Sequence, residues 1–126
     1  MIGLVVVSHS ARAAEGICEV AGEMAGDARI EPAGGEADGL GTDAGRIQDA
    51  IAAADDGDGV VVLVDLGSAV MNTELAIEMA DADARIADAP VLEGAVNAGV
   101  ETTNKKATLD SVVERAEEAR EYRKLD

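Results

Sequence analysis

A chain of 126 residues can bury one core but hardly two, so a single domain spanning residues 1–126 is expected. It carries 26 acidic residues against 10 basic ones, a formal net charge of −16, which opposes binding to nucleic-acid backbones and anionic membranes. Tyr122 is the one aromatic residue, which excludes a stacking platform for bases, and no long apolar stretch of the kind that makes a leader peptide or a membrane span is present.

Residues 2–7 form a short apolar run rich in β-branched side chains, the pattern of a strand buried on both faces. It ends at Ser8-His9-Ser10, and a helical spacing begins at once, with Ala14, Ile17, Cys18, Ala21 and Met24 recurring every three or four residues. Ser10 is placed to cap that helix. Cys18 falls on its apolar side as a small buried side chain; with no second cysteine an internal disulfide is excluded, and a cytoplasmic location fits. His9, the only histidine, therefore stands at the carboxyl end of a first strand and beside a helix start, where open α/β sheets bind anions. A lone histidine can also be a plain surface or core residue. Its place between two serines at a strand-to-helix corner favours function, provided other strand ends supply partners.

Gly26-Asp27 breaks the helical pattern, and residues 29–32 can make a short second strand. Residues 33–45 hold five glycines and three acids, too glycine-rich for a core element. They read either as a flexible connection or as a loop whose amides can approach a phosphate closely. Thr42-Asp43 then leads into a helix with Ile47, Ala50, Ile51 and Ala54 on one face. Residues 60–64 are the clearest buried strand, ending at Asp65-Leu66-Gly67-Ser68, and a helix follows over about residues 69–82 with Met71, Leu75, Ile77 and Met79. Asp65 is thus delivered to a second strand end, where a helix cap is the simplest alternative role. Residues 84–89 form a weaker strand closed by Pro90, and residues 91–100 a helix with Leu92, Ala95, Val96 and Gly99 on one side. A polar break precedes a last helix over about residues 109–123, started by Thr108 or Asp110 and striped by Leu109, Val112, Val113 and Ala116.

Strands alternating with helices call for an α/β fold, an open and mainly parallel sheet of about four strands with helices on both faces. Right-handed crossovers place every strand's carboxyl end on one edge, so His9, the glycine loop and the Asp65–Ser68 stretch converge there. An imidazole beside an aspartate suits a nucleophilic histidine. If Asp65 accepts a hydrogen bond from one ring N–H, the tautomer is fixed and the other nitrogen faces outward. An arriving phosphoryl group needs donors, which the amides of Gly41-Thr42 and Gly67-Ser68 and the hydroxyls of Ser8, Ser10, Thr42 and Ser68 can supply. Arg12, one turn into the first helix, can reach the phosphate or a partner, or be plain surface. One histidine and one cysteine leave no metal site, and neither a G-x-S-x-G elbow nor a G-x-x-x-x-G-K loop occurs.

The stretches VVVSHSARAAEGI, GGEADGLGTDAGRIQDAI, VLVDLGSAVMNTELA and APVLEGAV, in that order, resemble the mannose-type enzyme IIA family of the phosphoenolpyruvate-dependent phosphotransferase system. Within it, the SHS start, DLGSA and NTE resemble the phosphotransfer subunits of dihydroxyacetone kinase (DhaM) more than the sugar-transporter subunits. The resemblance implies a parallel α/β domain that dimerises, with His9 phosphorylated by the phosphocarrier protein HPr and discharged to ADP on a kinase subunit, which then phosphorylates dihydroxyacetone. It implies that Asp65 orients His9, that Gly41-Thr42 and Gly67-Ser68 lie beside it, and that no cofactor is permanently bound, the phosphoryl group being carried on His9. Some family members carry fused donor domains, so a chain of this extent is expected to use separate donors. A sugar-specific enzyme IIA and a non-catalytic regulatory module of the same fold remain as alternatives. Low lysine with abundant Asp, Glu and Ala further resembles halophilic proteins, whose surface repulsion is screened by concentrated salt.

Overall fold

The computed structural model describes residues 1–125. Four strands and five helices alternate: β1 (Gly3–Ser8), α1 (Ala11–Ala25), β2 (Ile30–Gly34), α2 (Ala44–Ala54), β3 (Val60–Val64), α3 (Val70–Met79), β4 (Ala84–Ile86), α4 (Val91–Thr102) and α5 (Leu109–Glu118). All strand pairs are parallel, in the order β2-β1-β3-β4. The expected α/β architecture is therefore the observed one.

The two central strands carry the core. Leu4, Val6, Val61 and Leu63 point to one face, under α1, α4 and α5; Val5, Val7, Val60 and Val62 point to the other, under α2 and α3. All eight are fully buried. Each contributes about 1.5–3 kcal/mol by leaving water, and the two-residue alternation means that a one-residue slip would exchange the faces. Alanines and glycines on the helices let them sit close to these branched side chains: Gly94 of α4 packs against Leu63, and Ala21, Ala95 and Ala98 are completely buried.

Helix starts follow the capping chemistry. The Ser10 side chain accepts from the Ala13 amide, Asp43 from Arg46, and Thr108 forms a reciprocal box with Ser111. Thr108, not Asp110, is thus the cap of α5.

Several expected boundaries move. β2 continues past Pro32 to Gly34, because Ala33 and Gly34 pair in register with Val7 and Ser8. Pro32 is tolerated there because β2 is an edge strand. β4 stops at Ile86, and α3 ends at Met79 after a 3-10 turn at Gly67–Ala69. The last helix gives way at Ala119 to a 3-10 turn ending at Glu121. Met24 is exposed where the stripe of α1 expected it inside, and Ala25 takes the buried position; Leu92 likewise lies partly in solvent. Cys18 is half-buried against the core, and burial pushes its thiol pKa up to about 12, so it is an inert packing residue.

Candidate functional site

The strand order puts the crossovers from β1 on opposite sides of it, to β2 one way and toward β3 the other, so the cleft between β1 and β3 is the topological switch point of the sheet. Val7 pairs with Val64, and the Asp65 amide donates to the Val7 carbonyl at 3.0 Å. This last rung sets Asp65 beside Ser8 and His9.

Asp65 then ties down three donors. Its Oδ2 accepts from the His9 backbone amide (2.9 Å) and the Ser8 hydroxyl (3.0 Å), and its Oδ1 lies 3.0 Å from His9 Nδ1. Burial works to raise the Asp65 pKa, but the bonds from the His9 amide, the His9 ring and the Ser8 hydroxyl outweigh it, and the net shift is downward. An ionised carboxylate only accepts, so Nδ1 must carry the hydrogen. In the neutral ring Nε2 is then the atom with the free lone pair, and the Ser68 hydroxyl, 2.9 Å away, donates to it.

The other expected site residues fall on the same edge with different tasks. Ser8 is buried; its hydroxyl gives its hydrogen to Asp65 and accepts from the Ser10 amide at 3.1 Å, so it is not a free phosphate donor but a brace for the carboxylate. Ser10 caps α1 with its oxygen and keeps its hydroxyl hydrogen. The Gly41 amide, expected to face a phosphate, is spent on the His9 carbonyl at 2.7 Å and fastens the glycine loop to the site. Gly41 has φ +136°, and a Cβ there would meet the Glu36 side chain at 2.6 Å, so glycine is required. Gly67 and Ser68 open the 3-10 turn, whose leading N–H groups have no partner within the turn. Arg12 is exposed in the first turn of α1, with no ion pair among the described residues.

Asn72, which the sequence offers only as part of the NTE stretch, also belongs to this edge. Its Nδ2 donates to Thr42 Oγ1 (2.8 Å) and to the Thr42 carbonyl (3.2 Å), joining the glycine loop to α3. The available signal was its spacing, four residues beyond Ser68 and so on the same side of the helix start.

The site is shallow. A hollow of about 200 Å³ bounded by Val64, Asp65, Leu66 and Gly67 borders it, while a larger one of about 340 Å³ lies against β2 between α1 and α2 and does not reach His9. Leu40, Leu66 and Met71 stand exposed on the two loops and the start of α3. An imidazole in an open setting, rimmed by apolar side chains, is suited to contact with another protein rather than to an enclosed small molecule.

The fold is that of an open α/β sheet with a histidine–aspartate pair at its switch point, and the chain belongs to the EIIA-man family: the family profile, described as PTS system fructose IIA component, matches residues 3–113. More particularly, it is similar to phosphoryl donor subunits called DhaM. It is 41% identical over 121 residues to that of PEP-dependent dihydroxyacetone kinase 2 from Listeria innocua, covering 89% of this chain and 97% of the relative. It is 34% identical to the phosphotransferase subunit DhaM of Lactococcus lactis, covering 91% and 93%. It is 37% identical to the Escherichia coli DhaM, covering 90% of this chain but only 26% of that longer protein. Among solved structures, a protein of unknown function superposes with a TM-score of 0.78 at 33% identity, covering 91% of this chain and 92% of that one. The phosphotransferase system component EIIA from Streptococcus agalactiae shares the fold, with a TM-score of 0.66 at 21% identity and coverage of 92% and 89%.

Proposed function

We propose that the chain is a phosphohistidine carrier of the phosphoenolpyruvate-dependent phosphotransferase system, serving dihydroxyacetone phosphorylation. The observation that carries this reading is the fixed His9 tautomer: Asp65 holds Nδ1–H, so Nε2 presents its lone pair at the open edge. In the forward step that lone pair attacks phosphorus as the P–N bond of phosphorylated HPr breaks, the electron pair returning to the donor imidazole. No net proton movement is needed. Asp65 stays ionised and offsets the charge that develops on the ring. The Ser68 hydroxyl leaves the lone pair and donates to a phosphoryl oxygen, aided by Ser10, Thr42 and the amides of Gly67 and Ser68. In the return step a terminal phosphate oxygen of ADP, held on the kinase subunit, displaces the group and Nε2 recovers its lone pair.

The names of the relatives, the tautomer-fixing pair and the apolar rim all support this reading over a regulatory module. Its extensions are that Arg12 touches a partner, that no cofactor is permanently bound, that the carrier is a cytoplasmic homodimer, and that its acidic surface is adapted to concentrated salt.

The test is incubation with phosphoenolpyruvate, enzyme I and HPr in concentrated potassium chloride, with intact mass as the readout. One acid-labile phosphoryl group on the wild type and none on His9→Ala is expected. Adding the kinase subunits and dihydroxyacetone should discharge it, whereas discharge only by a sugar-transporter component would assign a sugar-specific role. No uptake with active HPr from the same cell would refute the carrier reading.

A further inference from the structure

We infer that Asn72 is a positioning residue for phosphoryl transfer, acting through Thr42, whose hydroxyl it holds as a donor to the transferring group. The inference rests on His9 being the phosphoryl acceptor. The Thr42 carbonyl can only accept, so the Asn72 atom 3.2 Å from it must be the amide nitrogen, and the orientation of the side chain is fixed. The same nitrogen donates to Thr42 Oγ1 at 2.8 Å. With an oxygen lone pair engaged there, the Thr42 hydroxyl hydrogen must point away from Asn72, and among the described residues no acceptor takes it.

Placement supplies the reason. Gly41, immediately before Thr42, is bonded to the His9 carbonyl at 2.7 Å, and Ser68, four residues before Asn72, is 2.9 Å from His9 Nε2. Thr42 and Asn72 therefore close a ring whose other members already touch His9. A phosphoryl group on Nε2 brings three oxygens that need donors. Ser68 serves one of them, and Thr42, held with its hydrogen unspent, serves a second. Asn72 touches neither histidine nor phosphate. It is half-buried, and its effect passes through one hydroxyl.

The experiment measures His9 phosphorylation by phosphorylated HPr under rapid quench, with wild type, Asn72→Leu, Thr42→Val, the double variant and Thr42→Ser. Asn72→Leu and Thr42→Val should each lower the maximal rate about 10- to 100-fold, with the half-saturating concentration of phosphorylated HPr unchanged. The double variant should be no slower than the slower single one, because both remove the same donor. Thr42→Ser, which keeps the hydroxyl, should stay near wild type. Should Asn72→Leu fail to fold, Asn72→Asp preserves its size and draws the Thr42 hydrogen to itself, so it should be at least as slow. A folded Asn72 variant at wild-type rate, effects that multiply in the double variant, or a change confined to half-saturation would each overturn the inference. Absence of phosphorylation in the wild type would instead remove the carrier reading beneath it.

Discussion

Asp65→Asn should damage transfer more than Asp65→Ala, although it alters the side chain less. The His9 backbone amide is an obligatory donor to the Oδ2 position, so the oxygen of the new amide must stay there. Its NH2 group then takes the Oδ1 position, 3.0 Å from His9 Nδ1. Nδ1 is forced to accept, the ring hydrogen moves to Nε2, and the lone pair needed for attack disappears. Regaining it sets two N–H groups against each other. Leaving two buried donors unpaired costs about 1–3 kcal/mol each, or roughly 30- to 20,000-fold in rate. The His9 and Asp65 side chains are 29% and 20% exposed, so water relieves part of that cost; a loss of about 100-fold is the working expectation. Alanine leaves the tautomer free, so part of the rings keep the lone pair on Nε2 with no opposing N–H to overcome, and the loss is smaller. The assay is the single-turnover rate of His9 phosphorylation for both variants, with melting curves to confirm folding. An Asn variant as fast as the Ala variant, both folded, would refute the tautomer argument.

Three further outcomes are expected. The Asp65 carboxyl has a folded pKa below its unfolded value of about 3.9; its stabilisation is therefore complete above the unfolded pKa and lost as pH falls through the folded one. The melting-midpoint gap between wild type and Asp65→Asn should be constant above about pH 5 and shrink below about pH 4, and a gap independent of pH would contradict this. Gly34→Ala places a Cβ 2.5 Å from the Ser10 carbonyl oxygen and 2.9 Å from the Ala11 Cα, both backbone atoms that cannot swing aside. It should cost about 1–3 kcal/mol in denaturant unfolding and slow His9 phosphorylation by shifting the start of α1; an unchanged unfolding midpoint would show that the neighbouring backbone adapts freely. Finally, a net charge of −16 should make the melting midpoint climb with potassium chloride, most steeply while the screening length shrinks from about 10 Å at 0.1 M to about 3 Å at 1 M. A flat response would remove the case for salt adaptation.

The central strands were legible because both faces of each are buried, which leaves an unbroken β-branched run that no amphipathic helix would show. The same logic made His9 and Asp65 visible as the polar residues that end two such runs. What stayed hidden depended on pairing between distant segments. Ala33 and Gly34 read as loop because their strand character comes from the register with Val7 and Ser8, not from their own side chains. Met24 lies at helical spacing from Ala21 and Ile17, yet α1 has only Ala25 and Ala21 directed inward at its end, and the larger side chain is left outside. Within the site, residue types identified the donors but not which bonds they had already made. Ser8 and Gly41 look like phosphate ligands by composition, but the first braces Asp65 and the second clasps His9 from the backbone. Asn72 showed only through the NTE stretch and its spacing from Ser68, since its partner lies 30 residues away on another loop.

The Val7–Val64 rung has a consequence for how the site comes into being. His9 and Asp65 are 56 residues apart in the chain, yet Asp65 is the first residue and His9 the second beyond the last rung of one ladder of two adjacent strands. Neither edge strand takes part in that ladder. Once β1 and β3 have zipped in register, His9 and Asp65 are brought to the same edge of the sheet. A single hydrophobic alternation therefore sets both the interior and the meeting of His9 with Asp65, while the Gly41–Thr42 loop and the Gly67–Ala69 turn complete the edge around them.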